Sequence, residues 1–182
     1  MYLLNQVNML KEPIAEFEIY KKIGYKWQYE TSFKAGNALE FYTYITHYGF
    51  DLKYAIIYLD TLERNTLYYL YPDIKIAIHE KAIRNYVRGL LDLTLETFEE
   101  VAASLEYGKS CLEIELICFI DSFYSYKDKE DALFSYAKWQ YERPLNRDKI
   151  SKFVRVMEFY LDEILNYFDL RNTIIGLKKG EI

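Results

Sequence analysis

The sequence has few of the residues that mark turns, with seven glycines and three prolines among 182 residues. An all-β sandwich or barrel joins many short strands through turns rich in these residues, so the low count argues against that class. About half of the residues (51%) are hydrophobic, which is enough to build a core and excludes an intrinsically disordered chain. We therefore expect an ordered protein with few tight turns.

The sequence also lacks the motifs of common catalytic and metal-binding chemistry. It has two histidines, His47 and His79, and neither belongs to a His-Glu-x-x-His zinc motif. It contains no Gly-x-Gly-x-x-Gly or Gly-Lys-Ser/Thr phosphate loop and no Gly-x-Ser-x-Gly nucleophile elbow. We predict no catalytic residue, no cofactor and no metal site, and hence no enzyme. Both histidines are expected at the surface or at helix caps.

Cysteine is scarce as well, and the two cysteines are Cys111 and Cys118. In a helix, seven residues separate their Cα atoms by about 10 Å, whereas a disulfide needs less than about 7 Å. We expect both thiols to be reduced and buried. The N-terminal segment does not resemble a signal peptide, and no apolar run reaches the roughly 18 residues of a membrane span. These features predict a cytoplasmic protein that does not contact a membrane.

Helical periodicity is the strongest local signal. Apolar residues in 147–169 recur at the spacing of one helix face, which predicts a long amphipathic helix there. Helices are also predicted for 3–10, 13–23, 33–48, 52–62, 74–91, 111–123 and 130–142. The fold class that follows is all-α, a compact bundle of seven or eight helices joined by short turns and forming a single helical domain over 1–182. Segments 66–71 and 112–116 fit either a helix or an extended strand.

Charge is unevenly distributed along the chain. The net charge is −5, and the segment 92–115 contains seven acidic residues but one basic residue. Such a cluster favours association with a basic protein surface, and we select Glu96, Glu99 and Glu106 as candidate contacts. A solvated helix face is the alternative interpretation of the same cluster.

Aromatic residues are abundant, with 20 tyrosines, as is typical of AT-rich genomes such as those of low-GC bacteria and their phages. Adjacent aromatic residues cannot all face one core. Tyr68, Tyr69 and Tyr71 are therefore predicted to form an exposed patch that contributes to partner binding.

Acidic charge and missing catalytic motifs together predict a non-catalytic, intracellular protein-binding module. In its most specific form it is an acidic inhibitor of a nucleic-acid-handling enzyme, either an anti-CRISPR-type phage inhibitor or an immunity protein against a nuclease toxin. Its partner would present a basic surface. Direct sequence-specific nucleic-acid binding is not expected because the net charge is negative, and a homodimer is possible. The alternative is a helical ligand-binding or enzymatic domain with an aromatic-lined pocket.

Overall fold

The structure, a computed structural model, describes residues 1–11, 14–58, 61–91, 111–142 and 148–179. This described part contains five strands and seven helices. The strands are β1 (Tyr2–Lys11), β2 (Ile14–Ile23), β3 (Lys26–Ala35), β4 (Leu52–Ile57) and β5 (Lys75–Ile78). The helices are α1 (Ala38–Tyr48), α2 (Thr61–Leu70), α3 (Glu80–Leu91), α4 (Cys111–Ser125), α5 (Lys129–Glu142), α6 (Asp148–Phe159) and α7 (Leu161–Lys179). The fold is α/β, so the prediction of an all-α helical bundle is wrong.

The chain forms two compact units, each with most of its contacts inside itself. Unit 1 comprises Met1–His79 and Asp162–Ile182, and unit 2 comprises Glu80–Leu161. This division does not decide whether 1–182 behaves as a single domain, which stays a prediction.

Unit 1 is built on a mixed sheet with the strand order β3-β2-β1-β4-β5. The first three strands form an antiparallel meander, whereas β4 pairs with β1 and β5 pairs with β4 in parallel. Parallel neighbours need crossover connections, and α1 and α2 lie in the two connections that lead to β4 and β5. The carboxyl ends of β1, β4 and β5 consequently share one edge of the sheet.

The helices predicted for 3–10 and 13–23 are strands in the structure. In β2, Phe17 and Ile19 are fully buried, whereas Glu16 and Glu18, which alternate with them along the strand, are half-buried, as in a strand with one covered face. Gly24 follows β2 as the first residue of a two-residue hairpin turn, and its φ of 61° is the positive value that this position needs. One glycine in a left-handed conformation thus connects two ten-residue strands, so a low glycine count does not exclude a sheet.

Parallel strands explain the errors within the helices predicted for 52–62 and 74–91, which are strands at Leu52–Ile57 and Lys75–Ile78, whereas Glu80–Leu91 is helical as predicted. The burial of Leu52, Ala55 and Ile56 in β4 follows offsets of 0, 3 and 4, the spacing expected of a helix face. A parallel strand covered on both faces also buries neighbouring residues, because side chains on either face point into the protein. Spacing alone therefore does not separate the two structures in a short apolar run.

Helix α1 covers part of the sheet and has clear end signals. Asn37 accepts a hydrogen bond from the backbone N–H of Glu40 (2.9 Å), and Gly49 closes the helix at a φ of 61°. Its buried Phe41 packs on Phe17 and Phe33 of the sheet, with ring centroids 4.9 and 5.7 Å apart. The aromatic contacts fix α1 against β2 and β3.

Helix α7 returns to unit 1 and lies beside β5, the last strand of the sheet. The Asn166 side-chain amide donates a hydrogen bond to the backbone oxygen of Ile76 (2.8 Å). Lys75 forms an ion pair with Asp169 (2.6 Å). An edge strand carries backbone groups without a neighbouring strand, and α7 satisfies one of these groups while covering the edge.

Unit 2 is helical in its described part. Helices are confirmed at 111–123 and 130–142 as predicted, and α4 is helical through 112–116. The long helix predicted for 147–169 is instead two helices, because Tyr160 separates α6 from α7. The apolar spacing continues across Tyr160, so the pattern does not reveal the break. None of the described helices is long and apolar enough to span a membrane.

The core of unit 2 depends on Phe153 in α6, which is fully buried. Its ring contacts Phe119 of α4 and Trp139 of α5, with centroids 5.9 and 5.7 Å apart. We predict that Phe153→Ala lowers the free energy of unfolding by about 3–5 kcal/mol, because it removes buried area and leaves a cavity. The measurement is the urea midpoint. Phe159→Ala in the same helix is the control, since Phe159 is 58% exposed and should cost far less. Equal losses in the two variants would contradict this assignment of the core.

Candidate functional site

The predicted partner-binding residues fall in two regions. Glu96, Glu99 and Glu106 lie outside the described residues. The tyrosines are placed near the end of α2, and Tyr69 is 79% exposed. Tyr68 and Tyr71 are half-buried, and their hydroxyls donate hydrogen bonds to Glu163 (3.1 Å) and to the backbone oxygen of Phe50 (2.5 Å). Of the three, only Tyr69 projects its ring into solvent.

Buried polar side chains in the described residues concentrate in unit 1. They are Gln6, Glu63, Arg64, His79 and Glu163. Glu63 and Arg64 lie early in α2, Glu163 lies early in α7, and His79 directly follows β5. The cluster borders the edge where the parallel strands end, which is the usual ligand-binding edge of an open α/β sheet.

Two of the charged side chains in this cluster neutralise each other in an ion pair. Arg64 Nη1 lies 3.2 Å from Glu163 Oε1, and the same oxygen accepts the hydrogen bond from Tyr68. Burial, followed by the nearby Glu163 carboxylate, raises the pKa of Tyr68 to about 12. A buried carboxylate in contact with a tyrosine hydroxyl could serve acid–base chemistry in an enzyme. Here arginine neutralises that carboxylate, which favours a structural link between α2 and α7.

His79 is buried at 6% exposure, so the expectation of a surface position is wrong, although the residue directly precedes α3, at the position of a helix cap. Its ring stacks on Tyr58 at 5.8 Å and meets the edge of Tyr167 at 6.1 Å. The backbone N–H of Tyr58 donates a hydrogen bond to Gln6 (2.7 Å). His47, by contrast, is exposed near the end of α1.

A concave groove of about 540 Å³ lies in unit 2, between α4 and α5. One wall consists of Asp131, Ser135, Lys138 and Glu142, spaced i, i+4, i+7 and i+11 along one side of α5. The opposite wall comes from one side of α4 and from the residue that follows it. Its residues are spaced i, i+3, i+4, i+7 and i+11, and they are Glu115, Cys118, Phe119, Ser122 and Tyr126. We call this feature the α4/α5 groove.

The floor of the α4/α5 groove is aromatic. Phe119 and Trp139 stack with centroids 4.6 Å apart and ring planes inclined by 24°. Phe134, which also lines the groove, is 73% exposed. Cys118 is exposed here as a free thiol, so the prediction that it is buried is wrong. An apolar floor with an exposed ring at its margin provides contact area for another molecule.

Acidic side chains dominate the rims of the α4/α5 groove. Three carboxylates line it, from Glu115, Asp131 and Glu142, against the single ammonium of Lys138. Glu115 is the last acidic residue of the segment 92–115. One member of the acidic segment seen in the sequence therefore lines the groove.

Comparisons of the chain with protein-family models, with curated proteins and with solved structures give no match. Within the described residues, no group of three or more His, Cys, Asp or Glu side chains is placed to hold a metal ion.

Sequence reasoning missed the aromatic residues of this groove. The available signal was in α5, where Phe134 and Tyr141 fall on one face of the helix and Tyr136 and Trp139 fall on the opposite face. One core face cannot bury all four. Tyr136 is buried at 3% exposure, whereas Tyr141 remains 93% exposed.

The raised pKa of Tyr68 predicts a pH dependence of stability. The folded protein holds this phenol proton more tightly than the unfolded chain, whose tyrosines have a pKa near 10. The contribution of Tyr68 is complete below about pH 10 and is lost as the pH rises toward about 12. Tyr68→Phe should therefore show a shallower fall in unfolding free energy across this range, measured by urea denaturation. Tyr69→Phe is the control and should keep the wild-type slope. An unchanged slope in Tyr68→Phe would mean that Glu163 does not hold the hydroxyl.

Proposed function

We propose that the protein is a non-catalytic protein-binding module whose α4/α5 groove receives a basic, amphipathic helical segment of its partner. The observation that carries this proposal is an aromatic floor between rims that hold three carboxylates and one lysine. A helix in a groove buries an apolar stripe with i, i+3, i+4 and i+7 spacing. Its flanking lysines or arginines would meet Glu115, Asp131 and Glu142.

The shape of the groove favours a peptide segment over a small molecule. A small-molecule pocket buries most of its ligand's surface. Here several lining side chains are themselves exposed, among them Cys118, Ser122, Asp131, Lys138 and Glu142. A long, open trough between two helices contacts one side of its occupant, as a docked helix requires.

The charge of the groove indicates the class of partner. Enzymes that handle nucleic acids carry basic segments because they bind phosphates. An acidic groove that covers such a segment would keep nucleic acid from it. The proposed role is therefore that of an antagonist, of the anti-CRISPR or nuclease-immunity kind, and it accords with the acidic net charge of −5.

The test uses a labelled synthetic helical peptide with leucines at i, i+3, i+4 and i+7 and lysines on the flanks, with binding measured by fluorescence anisotropy. Asp131→Lys should weaken binding by about tenfold and mainly slow association, because a rim charge acts on the encounter. Glu130→Lys is the matched control. Glu130 lies next to Asp131 in the first turn of α5 but does not line the groove. Both substitutions place a positive charge at the helix N-terminus, so both carry the same unfavourable interaction with the helix dipole.

Two further peptides make this test specific. A peptide with glutamates in place of the lysines should bind more weakly than the basic peptide. A scrambled peptide of the same composition, which lacks the apolar stripe, should also bind more weakly. Equal binding of all three, or equal losses in Asp131→Lys and Glu130→Lys, would contradict the proposal.

A further inference from the structure

The tip of the β2–β3 hairpin in unit 1 combines positive charge with exposed aromatic rings. Residues 19–29 include Lys21, Lys22 and Lys26 and contain no acidic residue, although the whole chain is acidic. All three lysines are exposed, as are Tyr25 at 99% and Tyr29 at 57%. We call residues 21–29 the hairpin tip.

The backbone of the hairpin tip is held by strand pairing. Ile23 pairs with Lys26 across a two-residue turn in which Gly24 has a φ of 61°. The β1 register starts with Tyr2 opposite Lys21, so 23–26 extend past the end of β1. Tyr25 therefore lies in a turn whose two flanking residues pair with each other, at a position that β1 does not reach.

Aromatic rings lie beside the lysines of the hairpin tip. Lys21 Nζ lies 6.0 Å from the ring centroid of Tyr2, and Lys22 Nζ lies 5.5 Å from that of Trp27. These contacts place the ammonium groups of Lys21 and Lys22 beside aromatic rings, while both residues remain exposed to solvent. Of the two acidic residues that flank 19–29, Glu18 accepts a hydrogen bond from the Tyr20 hydroxyl. The other flanking acid is Glu30.

We propose that the hairpin tip binds single-stranded nucleic acid without sequence preference, with Lys21, Lys22 and Lys26 on phosphates and the exposed rings of Tyr25 and Tyr29 stacking on bases. Proteins that bind single strands in this way pair backbone-tracking cations with aromatic platforms. A duplex hides the base faces that such rings need. An anionic membrane is less suited, because Ile23 is the one exposed aliphatic side chain of the tip and an inserting loop needs more.

The experiment measures the anisotropy of a short labelled oligothymidylate as the full-length protein is added, over a range of KCl concentrations. Three phosphate contacts predict a slope of about −2 for log affinity against log salt, at roughly −0.7 per contact on single strands. Lys26→Gln should flatten the slope by about 0.7. Tyr25→Ala should weaken binding by about tenfold with the slope unchanged, because it removes stacking rather than charge.

Lys34→Gln is the matched control, since Lys34 is an exposed lysine on β3 beyond the hairpin tip. Wild-type binding by this variant, together with losses in Lys26→Gln and Tyr25→Ala, would support the proposal. Four results would overturn it: no oligonucleotide binding, equal losses in Lys34→Gln and Lys26→Gln, equal affinity for a duplex of matched length, or binding to phosphatidylserine vesicles alone. The hairpin tip and the α4/α5 groove share no residue, so each proposal stands or fails on its own test.

Discussion

The ring of Phe119 has two roles in unit 2. It contacts Phe123, Tyr136, Trp139 and Phe153, with centroid separations between 4.6 and 6.0 Å, so residues from α4, α5 and α6 meet around it. Its stack with Trp139 also floors the α4/α5 groove. The contact that joins two helices is therefore also part of the surface that we propose for partner binding. Interiors are closely packed, so the groove is expected to keep its shape without an occupant.

Charge is handled differently in the interior and at the groove. In unit 1 the buried Glu163 faces Arg64, and in unit 2 the half-buried Asp121 faces Arg84. Desolvated charges need such partners, and the pairs link elements that are far apart in sequence. The groove instead concentrates acidic groups where water reaches them, and there they act on an approaching molecule over about a Debye length. Because of this contrast, we assign a structural role to the ion pairs and propose a binding role for the acidic rims.

The sequence predicted part of this molecule for identifiable reasons. Helices α4 and α5 were predictable from their end signals, a capping box of Ser110 with Glu113 for α4 and Pro144 after α5, although 112–116 also alternates like a strand. The sheet was missed because Leu52, Ala55 and Ile56 satisfy a helical spacing by coincidence in a buried parallel strand. The alternation around Phe17 and Ile19 did carry a strand signal. The groove could not be read from sequence, because Phe119 and Trp139 belong to different helices and meet only after folding. Glu115 at the groove's rim belongs to the acidic segment 92–115, but the residues selected from that segment were Glu96, Glu99 and Glu106.

The central claim is that a basic helical segment sits on the aromatic floor of the α4/α5 groove. The chain has two tryptophans, and Trp27→Phe leaves Trp139 as the single reporter within that floor. Titrating this variant with the lysine-flanked amphipathic peptide tests the claim through the emission of Trp139. The account predicts a saturable change in that emission, which the glutamate-flanked peptide does not produce. The peptide's own label reports binding independently. If the peptide binds while Trp139 emission stays unchanged, the partner sits elsewhere and the account is contradicted.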